Sequence, residues 1–115
     1  MRKLFFISFV FFAYSYGHYL DNIPIILVQP DGVSFSCLSS GNHYYVRLHD
    51  DENNTIIQSR FDGYYYYAQM INGMVIPSEF RADNFLPQDS KISPGIQITR
   101  QEYLRRKNTK EQGQG

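Results

Sequence analysis

Two dipeptides, Asp62-Gly63 and Asn72-Gly73, bracket the run YYYYAQMI at residues 64–71. Asx-Gly pairs accept positive φ and suit two-residue type I′ turns, whose twist matches that of the antiparallel strands they join. Two such turns so close together commit this stretch to hairpins. The rest of the chain continues the pattern, with turn residues recurring every eight to twelve positions between β-rich runs.

Strands are expected at 25–29, closed by Pro30, and at 33–39 after Asp31-Gly32. Alternation in VSFSCLS places Val33, Phe35 and Cys37 on one face and the serines on the other. Ser40-Gly41-Asn42 reads as the next turn. In the strand at 43–49, Tyr44, Val46 and Leu48 should point inward and His43, Tyr45, Arg47 and His49 outward. DDENN at 50–54 is a solvated turn, followed by a strand at 55–61 with Ile57 and Phe61 on one face, and by strands at 64–71 and 74–76, the last stopped by Pro77. The expected fold is mainly β: a single small antiparallel meander of about six strands, with an open curved sheet and a partial barrel both compatible, ending in one short helix.

Helix signals come only near the end. Thr99-Arg100-Gln101-Glu102 has capping-box spacing, in which a hydroxyl and a carboxylate satisfy each other's backbone amides. The domain layout read from these signals is a β domain over 16–82, a linker over 83–98 marked by Pro87, Pro94 and Gly95, a basic helix over 99–108, and a polar, disordered tail over 109–115.

The first fifteen residues stand apart from that domain. Arg2 and Lys3 precede ten uninterrupted apolar residues, LFFISFVFFA, and then Ala13-Tyr14-Ser15. Ten helical residues rise about 15 Å, half of a bilayer core. The stretch therefore reads as a signal peptide over 1–15, and the expected location is secreted, extracellular or periplasmic. No other run approaches membrane length, so the mature chain should carry no transmembrane segment.

Charge is distributed unevenly. Residues 16–99 hold four basic residues (Arg47, Arg60, Arg81, Lys91) against nine acidic ones, whereas 100–110 hold five basic residues against Glu102 alone. An acidic body does not match a phosphate backbone, which excludes a nucleic-acid partner from the expectations. Cys37 is the single cysteine and has no disulfide partner within the chain.

No catalytic, cofactor or metal site is expected. His43 and His49 lie six strand residues apart, roughly 20 Å, too far to share one ion. The 50–54 turn has Thr55 where a calcium loop requires glycine and Phe61 where it requires glutamate. No serine sits in a nucleophile elbow. Asn53-Asn54-Thr55 matches the glycosylation sequon in an exposed turn. The tyrosine run at 64–67 should place Tyr64 and Tyr66 on one face and Tyr65 and Tyr67 on the other. Tyr65 and Tyr67, with Tyr45, form the candidate partner-contact face; the other face would pack.

In order, Gln29-Pro30-Asp31-Gly32-Val33, Gly41 with its aromatic strand, Asp62-Gly63-Tyr64-Tyr65-Tyr66-Tyr67-Ala68, Pro77-Ser78 and the basic segment 98–107 resemble the N-terminal region of secreted zinc metalloproteases of the immune inhibitor A type. The resemblance spans roughly 24–107. Gly41-Asn42-His43 replaces an acidic turn of that family, and the H-E-x-x-H zinc helix is absent. The resemblance implies a non-catalytic pro-region, from a fragment or truncated gene. It would dock on a metalloprotease catalytic domain in cis or in trans, or assist its folding, with zinc held only by that absent domain. Processing would fall in the linker or at Arg100, Arg105, Arg106 and Lys107. The alternative is a stand-alone extracellular binding module that uses its tyrosine face on a glycan or surface protein.

Overall fold

The computed structural model describes residues 19–113; the expected signal peptide lies outside them. Six strands follow one another as β1 (Leu20–Val28), β2 (Ser34–Gly41), β3 (Val46–His49), β4 (Thr55–Gln58), β5 (Tyr65–Ile71) and β6 (Met74–Arg81), with α1 (Arg100–Gly113) after them. The strands form one sheet in sequence order, every neighbouring pair antiparallel. The fold is the expected mainly-β meander with a C-terminal helix, and its sheet is not closed.

Register aligns the apolar residues into one face. Ile25 pairs with Cys37, Leu27 with Phe35, Leu48 with Ile56, and Ile56 with Tyr67. Cys37, Ile56, Tyr67 and Ala82 are buried together, with Phe80 and Tyr65 packed beside them. A one-residue slip would turn this set to solvent, so the pattern holds the register.

Several strand ends differ from expectation, each for a physical reason. β1 starts at Leu20 and passes through Pro24, and β6 passes through Pro77. Both are edge strands, where a missing amide donor leaves no interior ladder bond unmade. Ser40 and Gly41 belong to β2, and the turn is 42–45, where the Asn42 side chain accepts from the Tyr44 and Tyr45 amides at 2.9 and 3.2 Å. Gly41 has φ +152°, and a Cβ there would collide with the backbone of Tyr45 and Val46. β4 stops at Gln58, so Phe61 is wholly exposed and Ile56, not Ile57, enters the core. Asn72 and Gly73 have φ of 50° and 78°, as a type I′ turn requires, with Ile71 opposite Met74. Asp62-Gly63 instead ends a four-residue loop: Ser59 N donates to Tyr64 O at 2.9 Å and Gly63 N to Ser59 O at 3.0 Å, and only Gly63 has positive φ.

The 83–98 segment lacks regular structure but is packed down on the sheet. Leu86 and Ile92 lie against the core. Gly95 N donates to Asn53 O at 2.7 Å, and Thr55 Oγ1 to Ile96 O at 2.5 Å. Prolines forbid a helix here without forbidding burial, and a sheet with one apolar face needs a cover.

Thr99 Oγ1 caps the helix by accepting from Glu102 N at 3.1 Å. The reciprocal half of the capping box is not formed, because the Glu102 carboxylate is taken by Arg105 and Arg106. The helix runs to Gly113, beyond the end expected near residue 108.

Candidate functional site

The open side of the sheet contains a cleft of about 710 Å³ beside the core. Leu48, Ile56 and Tyr65 belong to both, so the floor of the cleft adjoins the core, with Leu48 and Tyr65 half-buried and Ile56 only 4% exposed beneath them. Met74 and Val75 of β6 add to the apolar lining, while Ile98, Thr99, Glu102 and Arg106 bring the helix entrance to the opposite wall.

Three arginines line the cleft, Arg47, Arg60 and Arg106, against the single carboxylate of Glu102. None of the nine acidic residues of 16–99 is among the lining residues, although two of the four basic ones are. Arg47 Nη1 donates to Thr55 Oγ1 at 2.9 Å, and its Nη2 donates to the Asn53 side chain. The Arg106 guanidinium lies 5.7 Å from the Tyr45 ring centroid, and its Nε donates to Glu102 at 3.0 Å. Hydrogen bonds from Arg105 and Arg106 hold the Glu102 carboxyl down at about 2, so it stays ionised. Arg60 is exposed and has no hydrogen bond or ion pair among the described residues. Burial raises the Tyr45 phenol, against the opposing pull of the Ile98 backbone, Arg47 and Arg106.

The predicted contact tyrosines separate here. Tyr45 and Tyr65 both line the cleft, half-buried. Tyr67 is only 5% exposed, its hydroxyl donates to Asn84 O at 2.9 Å, and burial pushes its phenol up to about 12. It is core and cannot contact a partner. Tyr65 also serves the core, edge-on to Phe35 at 6.1 Å. The face expected to be free is therefore the packed one. Its register explains why: Ile56 sits opposite Tyr67, so the ring must share the aliphatic side.

The basic residues expected to be processed all lie in α1. Arg106 is stacked on Tyr45, and Lys107 lies 5.4 Å from the Tyr44 ring. Lys110 donates to His43 O at 2.8 Å, and Asn42 donates to the Tyr103 hydroxyl at 3.1 Å. The basic helix expected here is thus tied to the 42–45 turn.

His49, expected to face outward, is 3% exposed, and its Nε2 lies 2.8 Å from Ser40 Oγ. This resembles a nucleophile–base pair but lacks the rest of such a site. Asp21 contacts the serine at 3.0 Å instead of orienting the imidazole, whose Nδ1 lies 3.0 Å from Asp50 O. Ser40 is 2% exposed, beyond reach of a substrate carbonyl. The group ties β1, β2 and β3 together. Cys37 is 4% exposed and burial pushes its thiol up to about 11, so it remains a protonated core side chain. Among the described residues no group of three His, Cys, Asp or Glu side chains could hold a metal ion, and no helix is long and apolar enough to cross a membrane.

No protein-family model, curated protein or solved structure matches this chain.

Proposed function

We propose that this protein is a non-catalytic extracellular binding module whose ligand occupies the cleft between β3, β4, the start of β6 and the entrance of α1. One observation carries this reading. An otherwise acidic domain gathers Arg47, Arg60 and Arg106 around an uncovered apolar floor with Tyr45 and Tyr65 in its walls. Small-molecule sites are concave and mostly apolar, with a few convergent polar groups that fix orientation. Extracellular action rests on the leader-like run at 4–13.

The pro-region expectation rests on sequence resemblance alone and has no observation of its own in the fold, so the binding-module reading takes its place here. Anilinonaphthalene sulfonate, an aromatic anion, is a suitable test probe. It should bind saturably and slow amide exchange at 45–48, 55–58 and 73–75. Non-saturable binding, or protection confined to other segments, would overturn the reading. Inhibition of an immune inhibitor A-type protease by this chain, unaffected by occupying the cleft with the probe, would restore the pro-region reading.

A further inference from the structure

We infer that the ligand of the cleft is a small amphipathic carboxylate, with an aliphatic or aromatic body on Leu48, Met74 and Val75 and its carboxylate held by Arg60 and Arg106. This rests on the cleft being a binding site, and adds the chemistry of what enters it.

Size is the first argument. A volume of about 710 Å³ falls within the range of single small-ligand sites, roughly 300–1,000 Å³. The second is the floor. Leu48, Met74 and Val75 offer aliphatic surface that an oligosaccharide, with hydroxyls on every edge, would have to desolvate without return. An alkyl chain or an unsubstituted ring gains from the same contact at about 25 cal/mol per Å² of apolar area.

The third argument is the state of the arginines. Arg47 is held by Thr55 and Asn53 and acts chiefly as fixed positive charge. Arg106 uses Nε on Glu102, and no hydrogen bond occupies its two terminal nitrogens among the described residues. Arg60 has no partner among the described residues. A guanidinium presents parallel N–H donors matched to the two oxygens of a carboxylate, so these arginines suit a planar anionic head. Glu102 divides its single charge between Arg105 and Arg106, so Arg106 is only partly compensated and Arg60 keeps its whole charge.

The full chain should be titrated with dodecanoate, dodecanol and dodecyltrimethylammonium below their micelle-forming concentrations, with the Tyr45 and Tyr65 ring resonances followed by NMR. Dodecanoate is expected to shift both rings saturably and to bind about tenfold more tightly than dodecanol, the discrimination of one charge-assisted contact. Arg60→Gln should remove most of that advantage while leaving dodecanol affinity and thermal stability unchanged. Equal affinity for dodecanoate and dodecanol at the same rings would overturn the carboxylate assignment and leave the cleft reading standing, as would tighter binding of dodecyltrimethylammonium. Saturable shifts with a neutral oligosaccharide such as maltohexaose, and none with dodecanoate, would overturn the ligand class. No shift of Tyr45 or Tyr65 with any of these probes, together with no protection by anilinonaphthalene sulfonate, would remove both proposals.

Discussion

Arginine beside tyrosine appears at two places on this sheet, with opposite consequences. Where the β1–β2 turn meets the end of β6, Arg81 lies 4.9 Å from the Tyr64 ring and pairs with Asp83 at 2.9 Å and Asp31 at 3.0 Å. Gln29 completes that corner: its Nε2 donates to Asp83 at 2.9 Å and to Tyr65 O at 3.0 Å, while its Oε1 accepts from Tyr65 N at 2.7 Å. A side chain thus replaces a strand partner and draws the first hairpin onto β5, curling a sheet whose edge strands do not pair. In the cleft, Arg106 stacks on Tyr45 in a similar way, but Arg60, which lines the same cleft, lacks any counter-charge among the described residues. Compensated charge holds the architecture together. Uncompensated charge remains available to a ligand.

The contrast is most exposed to failure at the tied corner. Tyr67→Ala removes a buried ring whose hydroxyl anchors residue 84, next to Asp83. It should cost about 3–5 kcal/mol, read as a lowered urea midpoint. A folded variant of unchanged stability would show that Tyr67 is not core. Gln29→Ala leaves the Tyr65 amide without its acceptor in a site where Gln29 itself is 2% exposed, while the Tyr65 carbonyl keeps its bond from Ala82 N. A loss of about 1–3 kcal/mol is expected, with faster exchange at the Tyr65 amide. A loss no larger than that of an exposed residue would mean the corner does not hold the curl.

Acid should attack the same corner. Burial raises the Asp83 carboxyl, but hydrogen bonds from Arg81, Gln29 and its own backbone outweigh burial, and its value is lowered overall. The folded value lies below the unfolded one, so the stabilisation is present above about pH 4 and is lost as pH falls through the folded value. In Asp83→Asn that part of the acid dependence should vanish, as urea titrations at neutral and acid pH would show. An unchanged acid profile would remove Asp83 from the account. The smallest effect belongs to the cleft: Arg60→Gln should change stability by about 0.5 kcal/mol or less in the same urea titration. A larger loss would place Arg60 among the architectural charges and erase the distinction.

Much of the fold is legible in local chemistry. Asn72-Gly73 permits a type I′ turn and little else, Thr99 marks the start of the helix, and the VSFSC alternation puts Phe35 and Cys37 on the buried side. Pro77 misleads, because a proline stops a strand only where its missing donor would be needed, and that depends on whether the strand lies at an edge. The four consecutive tyrosines announce two faces without saying which is inward. Only the partners, Ile56 opposite Tyr67 and Ile57 opposite Tyr66, decide it. The candidate site was half visible: Tyr45 and Tyr65 were singled out by their chemistry, but Arg47 and Arg60 looked like ordinary strand and turn charges. Nothing in their spacing shows that a helix some fifty residues on brings Arg106 beside them.

Local sequence alone therefore determined the β character, the number of strands and the position of the helix, because turn geometry, side-chain alternation and capping act within a few residues. The tertiary structure decided which face is core, how the ends of the sheet are tied, and where positive charge is left uncompensated. Those properties depend on residues far apart in the chain, and only packing brings them within bonding distance.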